Sequence, residues 1–401
     1  MIILYPADSC PDGFPGKGGT GPLPEKSTSS YMIIAKVFHH RKRKLFNFLP
    51  DYGTIRAEEQ MNRTEGRIME YTLIKGSGLK VSRFCLGTMT FGDQADEQES
   101  IRIVHHALDQ GVNFFDTADC YTRGQSEIFL GKALAGKRED AVIATKVTNA
   151  RGFKPNQSGQ GRKHIISGVE ESLRALQTDY VDLLYLHMPS GDAPMEEVIE
   201  TMTNLVRSGK IRYYGLSNYS TWQFCSMVHK AREMHAVPPV VTESLYNLLT
   251  RGIEDEMVPF LKEYRLGLTC FNPIAAGLLT GKHKRDQLAE NSRLKDNYGY
   301  NLRYVNDTNM SAVEQLTAIA ADCGMSLLEF SLQWLLNREA VDSVIVGASK
   351  FDHIVQNVAL AAEKKPIPQE AMEKCDAVWD TIHGYWFSYH AYDKPMAFPK
   401  K

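Results

Sequence analysis

From Glu70 onward the chain alternates between short apolar runs and longer stretches in which apolar residues recur every three to four positions. The first pattern predicts buried strands and the second amphipathic helices. Strands are expected over Arg83–Gly87, Val112–Asp116, Ala141–Lys146, Val181–His187, Tyr213–Ser217, Val240–Leu245, Leu268–Pro273 and Val341–Val346. Helical patterns separate them, among them Glu97–Asp109, His164–Leu176, Met195–Ser208 and Thr221–Met234. Ser311–Cys323 and Ser326–Asn337 both precede the last strand. Ahead of this alternation, Tyr71–Ile74 and Leu79–Val81 flank the turn signal Lys75-Gly76-Ser77-Gly78, which predicts a β-hairpin.

Eight strands alternating with helices over roughly 250 residues or a little more are the count of a (β/α)8 TIM barrel, an α/β fold, with the hairpin at its bottom. A doubly wound sheet is the competing arrangement. Its glycine fingerprint is missing, because the first strand runs into Leu86-Gly87-Thr88-Met89-Thr90-Phe91-Gly92 rather than G-x-G-x-x-G. In a barrel the C-terminal strand ends meet at one mouth, so polar residues there are the site candidates. They are Asp116, Lys146, His187, Ser217 with Asn218, Glu243 and Asn272.

The first part of the chain lacks this order. Residues 1–64 are rich in Gly, Pro and Ser, then basic at His39-His40-Arg41-Lys42-Arg43-Lys44, with no sustained period. The expectation is a disordered or non-native extension, with Met61 or Met69 as the true start. Acidic residues and early prolines fit a targeting peptide poorly. The basic cluster reads as a solvated charge run rather than a nucleic-acid or membrane contact. The barrel is expected over 70–385 and a tail over 386–401.

Composition changes this picture little. A formal charge of −2 over 401 residues provides no basic stripe for nucleic acid. The seven cysteines are scattered without metal-ligand spacing, so no metal site is expected, and Cys85 and Cys270 fall in strands as small hydrophobes. No apolar segment reaches the ~18–20 residues of a bilayer span. A soluble, cytoplasmic protein in a reducing setting is expected, without a membrane partner.

The candidate chemistry centres on Gly111-Val112-Asn113-Phe114-Phe115-Asp116-Thr117-Ala118-Asp119-Cys120-Tyr121. Burying Asp116 is costly unless a cation faces it, and Lys146 is the candidate. A lysine held by an aspartate stabilises tyrosinate, so Tyr121 is expected to titrate below its usual ~10 and serve as an acid. Each residue alone is equally an ordinary strand-end polar group, and His187 an ordinary structural histidine. Their joint occurrence points to a proton-transfer site.

With these residues in view, the sequence resembles the aldo-keto reductase family. The matching motifs are Leu86-Gly87-Thr88-Met89, Phe115-Asp116-Thr117-Ala118 with Tyr121, Ala144-Thr145-Lys146, and Asp179-Tyr180-Val181-Asp182-Leu183-Leu184 leading to His187. Gly209-Lys210-Ile211-Arg212 leads on to Gly215-Leu216-Ser217-Asn218. Asn272-Pro273 through Gly277-Leu278-Leu279-Thr280-Gly281-Lys282 and Gly347-Ala348-Ser349 through Asn357 follow in family order. The resemblance runs from about Glu70 to at least Ala362. It implies hydride transfer between a nicotinamide cofactor and an aldehyde or ketone, or the corresponding alcohol. Asp116, Tyr121, Lys146 and His187 would be catalytic, with Tyr121 protonating the nascent alkoxide and His187 orienting the carbonyl.

The same resemblance assigns cofactor contacts. Thr88, Met89 and Asp116 would lie along it, and Ser217, Asn218 and Glu243 would meet the carboxamide. Phe271 would face the nicotinamide. Lys282 and Arg293 would neutralise the pyrophosphate with backbone donors from the loop of Ile274, Gly277 and Leu278, and Asn272 and Pro273 would also contact the cofactor. Gly347, Ser349, His353, Gln356 and Asn357 would hold the adenosine end. Two positions depart from the family pattern. Glu243 stands where the family usually has glutamine, and an ionised carboxylate accepts but cannot donate. It places an acid near a ring that becomes cationic on oxidation, which would favour the oxidised cofactor. His353 stands where NADP-preferring members often carry arginine, leaving Ser349 and Lys350 to meet a 2′-phosphate. NADP(H) is expected over NAD(H).

Within the family the chain looks most like the branch of aflatoxin-aldehyde reductases and aryl-alcohol dehydrogenases, whose layout potassium-channel β subunits share. The latter raise the alternative of a cofactor-binding redox sensor with low turnover. His187 favours the enzyme, since resembling channel subunits carry Asn there. The substrate loops are expected over Thr148–Arg162 and Arg285–Asp307, with Tyr298, Tyr300 and Tyr304, and with Arg162 and Arg303 as the basic residues near the mouth. The aromatic tail Tyr385-Trp386-Phe387-Ser388-Tyr389-His390 suits an apolar or sugar-like substrate, or packing on helices or on another subunit of a homo-oligomer. Cys120 reads as a small filler at the bend, with oxidation gating as the alternative.

Overall fold

The computed structural model describes residues 69–383, apart from 291 and 363. The expectations for residues 1–64, the basic cluster and the aromatic tail lie outside the described residues.

Two short strands, β1 (Tyr71–Leu73) and β2 (Lys80–Ser82), pair antiparallel around the Lys75–Gly78 turn. Eight further strands follow: β3 (Phe84–Gly87), β4 (Phe114–Asp116), β5 (Val142–Val147), β6 (Val181–Leu186), β7 (Ile211–Ser217), β8 (Val241–Leu245), β9 (Gly267–Phe271) and β10 (Ser343–Gly347). They close into a parallel barrel in the order β10-β3-β4-β5-β6-β7-β8-β9. Helices lie between successive strands, including Glu97–Asp109, Gln125–Ala133, Arg162–Leu176, Met195–Arg207, Thr221–Glu233 and Met257–Tyr264. The chain is therefore a (β/α)8 barrel with an N-terminal hairpin.

The period of two along each strand sorts side chains between two cores. Phe84, Leu86, Phe115, Ile143, Leu184, Leu216 and Leu268 face the helices. Cys85, Phe114, Ala144, Leu183, Tyr185, Val241 and Ile345 fill the barrel interior together with Ile74 and Val81 of the hairpin. Gly215 makes room for this inner layer. A Cβ there would lie 2.5 Å from the Val241 carbonyl oxygen and 2.7 Å from the Tyr185 ring. The Tyr185 ring thus crosses the interior, where its hydroxyl lies 2.9 Å from Thr269 Oγ1.

The hairpin is anchored to the N-terminal strand ends. Lys75 pairs with buried Asp342, which also accepts backbone N–H groups of Lys75 and Leu268. This explains why β10 begins at Ser343 rather than Val341. Val112 likewise falls outside β4, because its N–H closes the preceding helix on Ala107 O at 2.9 Å. The helix expected from Ser311 begins at Asp307, where the Asn306 side chain accepts from Asn309 N and caps it.

Candidate active site

Strand register brings the polar strand ends together. Asp116 pairs with Ala144, so Lys146, two residues further along β5, projects on the same interior face one layer up. Ser217, Glu243 and Thr269 are consecutive partners across β7, β8 and β9. Beyond β4 the chain stays attached to β5, with Thr117 N on Ala144 O and Asp119 N on Lys146 O. It then turns sharply through Thr122, Arg123 and Gly124, all at positive φ. Thr122 braces this turn by donating to Phe91 O at 2.6 Å and accepting from Ser126 N. The tight turn returns Tyr121 to the barrel mouth.

Lys146 Nζ is fully buried and donates to Asp116 Oδ1 at 2.5 Å, to Thr117 O at 2.9 Å and to the Tyr121 hydroxyl at 3.3 Å. Glu243 Oε1 lies 3.4 Å away. Burial pulls the ammonium's pKa down, but Asp116 and Glu243 outweigh it and hold the lysine charged. Burial pushes the Glu243 carboxyl up to about 8, helped by repulsion from Asp116. The expected lowering of the Tyr121 pKa is not what the structure gives. Burial raises the phenol, Lys146 lowers it, and Asp116 and Glu243 raise it again, so it stands above its ordinary value. Two acids against one lysine, in a site dry enough to disfavour tyrosinate, reverse the sign that the Lys–Tyr pair alone implies.

His187 closes the other side of the site, its ring 5.8 Å from that of Tyr121 and nearly perpendicular. Burial, then Lys146, lowers its pKa to about 3, so the imidazole is neutral. Asn149, on the loop after β5, places its amide nitrogen 3.0 Å from His187 Nδ1. With a donor against Nδ1, the ring's own proton sits on Nε2. Asn149 is the functional candidate that the sequence did not single out. It lies just past the strand in a segment without periodicity, and only folding sets it against His187. Cys120 lies 3.8 Å from the same nitrogen, and burial raises its thiol pKa, in keeping with a filler.

These groups open onto a cavity of about 710 Å³. Met89, Asp116, Tyr121, His187, Ser217, Asn218, Glu243 and Phe271 line it, as do Asn272, Pro273, Ile274, Gly277, Lys282 and Arg293. Gly347, Ser349, His353, Gln356 and Asn357 line its far end. Thr88 and Leu278 do not. Thr88 is buried behind the wall, bonded to Asp116 O and Ser126, and Leu278 belongs to the core. Asn272 lines the cavity, but its side chain is already engaged with Tyr304 Oη and Ala276 N. That brace supports a run of left-handed residues, Ala275, Ala276 and Gly277, whose N–H groups are taken within the turn by Asn272 O, Asn272 Oδ1 and Ile274 O. Of the loop tyrosines only Tyr300 lines the cavity, since Tyr304 is buried and Tyr298 faces solvent. Arg303 reaches the cavity, whereas Arg162 pairs with Glu200. Ser349 also borders a smaller hollow lined by Arg102 and Lys350.

The parallel barrel gathers an acid, a lysine, a tyrosine and a histidine at one mouth, and comparison with known proteins gives the family. The model of the aldo/keto reductase family matches residues 83–380, and the chain belongs to that family. It is similar to a rice (Oryza sativa subsp. japonica) protein named as a probable voltage-gated potassium channel subunit beta. The two are 36% identical over 318 residues, 77% of this chain and 96% of the relative. A similarly named Arabidopsis thaliana protein is 37% identical over 298 residues, 72% of this chain and 90% of the relative.

Proposed function

We propose that the protein transfers a hydride between a nicotinamide cofactor, NADP(H) over NAD(H), and an aldehyde or ketone or the corresponding alcohol, with Tyr121 as the proton donor. The observation that carries this is Lys146 Nζ, which bonds both buried Asp116 and the Tyr121 hydroxyl at the wall of a large cavity. The residues present fit a dinucleotide: Lys282 and Arg293 for phosphates, and Ser217, Asn218 and Phe271 near the Tyr121 end. When bound, the cofactor supplies or accepts the hydride.

The chain's own groups do the rest. Tyr121 holds its proton at neutral pH and gives it to oxygen as negative charge develops there. Lys146 supports the phenolate that remains. Neutral His187 donates from Nε2 and orients the carbonyl. Lys350 beside Ser349 offers positive charge for a 2′-phosphate at the far end, whereas Arg102 in the same hollow is paired with Glu99 at 3.0 Å. Among the described residues no helix is long and apolar enough to cross a membrane. The names of the similar proteins favour a second reading, a cofactor-binding sensor that acts through a protein partner.

Steady-state reduction of an aromatic aldehyde panel with NADPH and NADH, for wild type and Tyr121→Phe, separates these readings. Turnover that favours NADPH and falls by about 10²–10⁴-fold in the variant is expected. Cofactor binding without turnover in either form would remove the enzyme reading in favour of the sensor.

A further inference from the structure

The inner end of the candidate site holds more carboxylate than its cation can satisfy. Lys146 has three N–H donors, and Asp116 Oδ1, Thr117 O and Tyr121 Oη take them. Glu243 Oε1, at 3.4 Å, feels the ammonium's charge without a remaining donor. Asp116 Oδ2 and Glu243 Oε2 are both buried and lack any donor. The two carboxyl groups crowd the one ammonium, Asp116 Oδ1 at 2.5 Å and Glu243 Oε1 at 3.4 Å from Lys146 Nζ. A pair of bare carboxylates held around one cation, both shut off from water, repel and leave two buried acceptors unmet. A single proton between them removes both penalties.

We infer that Asp116 and Glu243 share one proton, carried mainly by Glu243, and that its loss sets the alkaline limit of Tyr121 as an acid. The titratable groups facing Glu243 come from five neighbouring strands and the loop after β4. They are Cys85 on β3, Asp116 on β4, Tyr121 beyond it, Lys146 on β5, Tyr185 on β6 and Cys270 on β9. Lys146 alone among these is cationic. Burial raises both thiols and both phenols, which stay neutral as Glu243 titrates.

With the shared proton in place, Asp116 and Lys146 cancel and the site is neutral. Once it leaves, above about pH 8, the site carries a net negative charge beside the Tyr121 hydroxyl. That charge opposes tyrosinate, weakens the acid needed for reduction and favours a cationic, oxidised nicotinamide. Glutamine at position 243 would satisfy Asp116 permanently, whereas glutamate makes the same contact dependent on pH. The second half of this inference rests on the reductase reading; the shared proton itself does not.

The first test therefore uses the full-length protein without cofactor. Infrared difference spectra across a pH titration should show a protonated-carboxyl band that disappears with a midpoint near pH 8. Asp119→Asn and Glu127→Gln remove two further buried carboxyls whose pKa burial raises, Asp119 to about 7, and should leave this band in place. Glu243→Gln should abolish it. A neutral-pH spectrum without the band, or a band that survives Glu243→Gln unchanged, overturns the shared proton.

Binding of NADP+ and NADPH and reduction kinetics then test the consequence. In wild type the affinity ratio should shift severalfold toward NADP+ as pH rises through about 8, while kcat/KM for reduction falls. In Glu243→Gln both changes should vanish or move to higher pH, whatever the height of the plateau. Identical alkaline limbs in the two proteins overturn the role assigned to Glu243. A wild-type protein that shows the band but reduces no aldehyde removes the reductase reading and leaves the shared proton standing.

Discussion

Asn149 and His187 are coupled through one polar contact, the Asn149 amide nitrogen against His187 Nδ1 at 3.0 Å. Because His187 is neutral, this contact decides which nitrogen carries the single ring proton. Asn149→Asp is nearly the same size but replaces a donor by an acceptor, drawing the proton to Nδ1. Asn149→Ala removes the donor and imposes no tautomer. We expect kcat/KM for carbonyl reduction to fall by about 10–100-fold in Asn149→Asp, within the range of general acid–base effects, and less in Asn149→Ala. Equal losses in the two variants would show that the contact matters for packing rather than for the tautomer.

Asp119 lies behind Tyr121 and is almost fully buried, with neither carboxylate oxygen hydrogen-bonded. Arg151 Nε approaches to 3.6 Å, but burial, and then repulsion from Glu127, raise the Asp119 carboxyl to about 7. Its usual value in an unfolded chain is ~3.9. The folded state therefore binds a proton that the unfolded state has lost, and this contribution to stability, full below ~4, disappears as pH rises through about 7. Asp119→Asn cannot ionise. Its melting temperature relative to wild type should rise as pH is raised across that window, measured by differential scanning calorimetry. A difference that stays constant with pH would contradict the ionisation argument.

Gly215 is required by shape. Its added methyl would meet the Val241 carbonyl oxygen at 2.5 Å and the Tyr185 ring at 2.7 Å, and neither can withdraw without disturbing the barrel interior. Gly215→Ala should destabilise the fold by about 1–3 kcal/mol, in the range of core overpacking. Denaturant unfolding measures this directly, and an unchanged midpoint would show that β7 and β8 can separate locally at little cost.

The alternation of strand-like and helix-like segments, and with it the barrel, was legible from Arg83 to Val346 because each element writes its burial locally, at a period near two or near 3.6. For the same reason Asp116, Lys146, His187, Ser217 and Glu243 could be picked out: a polar residue closing an apolar run is visible without knowing its neighbours. Boundaries were less legible where a residue serves the fold through a distant partner. Asp342 is held by Lys75 of the hairpin, which no local pattern around Val341 encodes.

What only the tertiary structure decided is which strand ends touch, and how their charges add. Barrel closure sets Glu243 on β8 beside Asp116 on β4 and Lys146 on β5, and the summed burial and charge, rather than the Lys146–Tyr121 pair alone, raise the phenol's pKa. It also withdrew Thr88 and Leu278 from the cavity wall and brought Asn149 to His187. Local sequence encodes which residues are buried and where polar groups end a strand. Electrostatics and hydrogen bonding depend on distances between segments remote in sequence, so they exist only once the chain has closed.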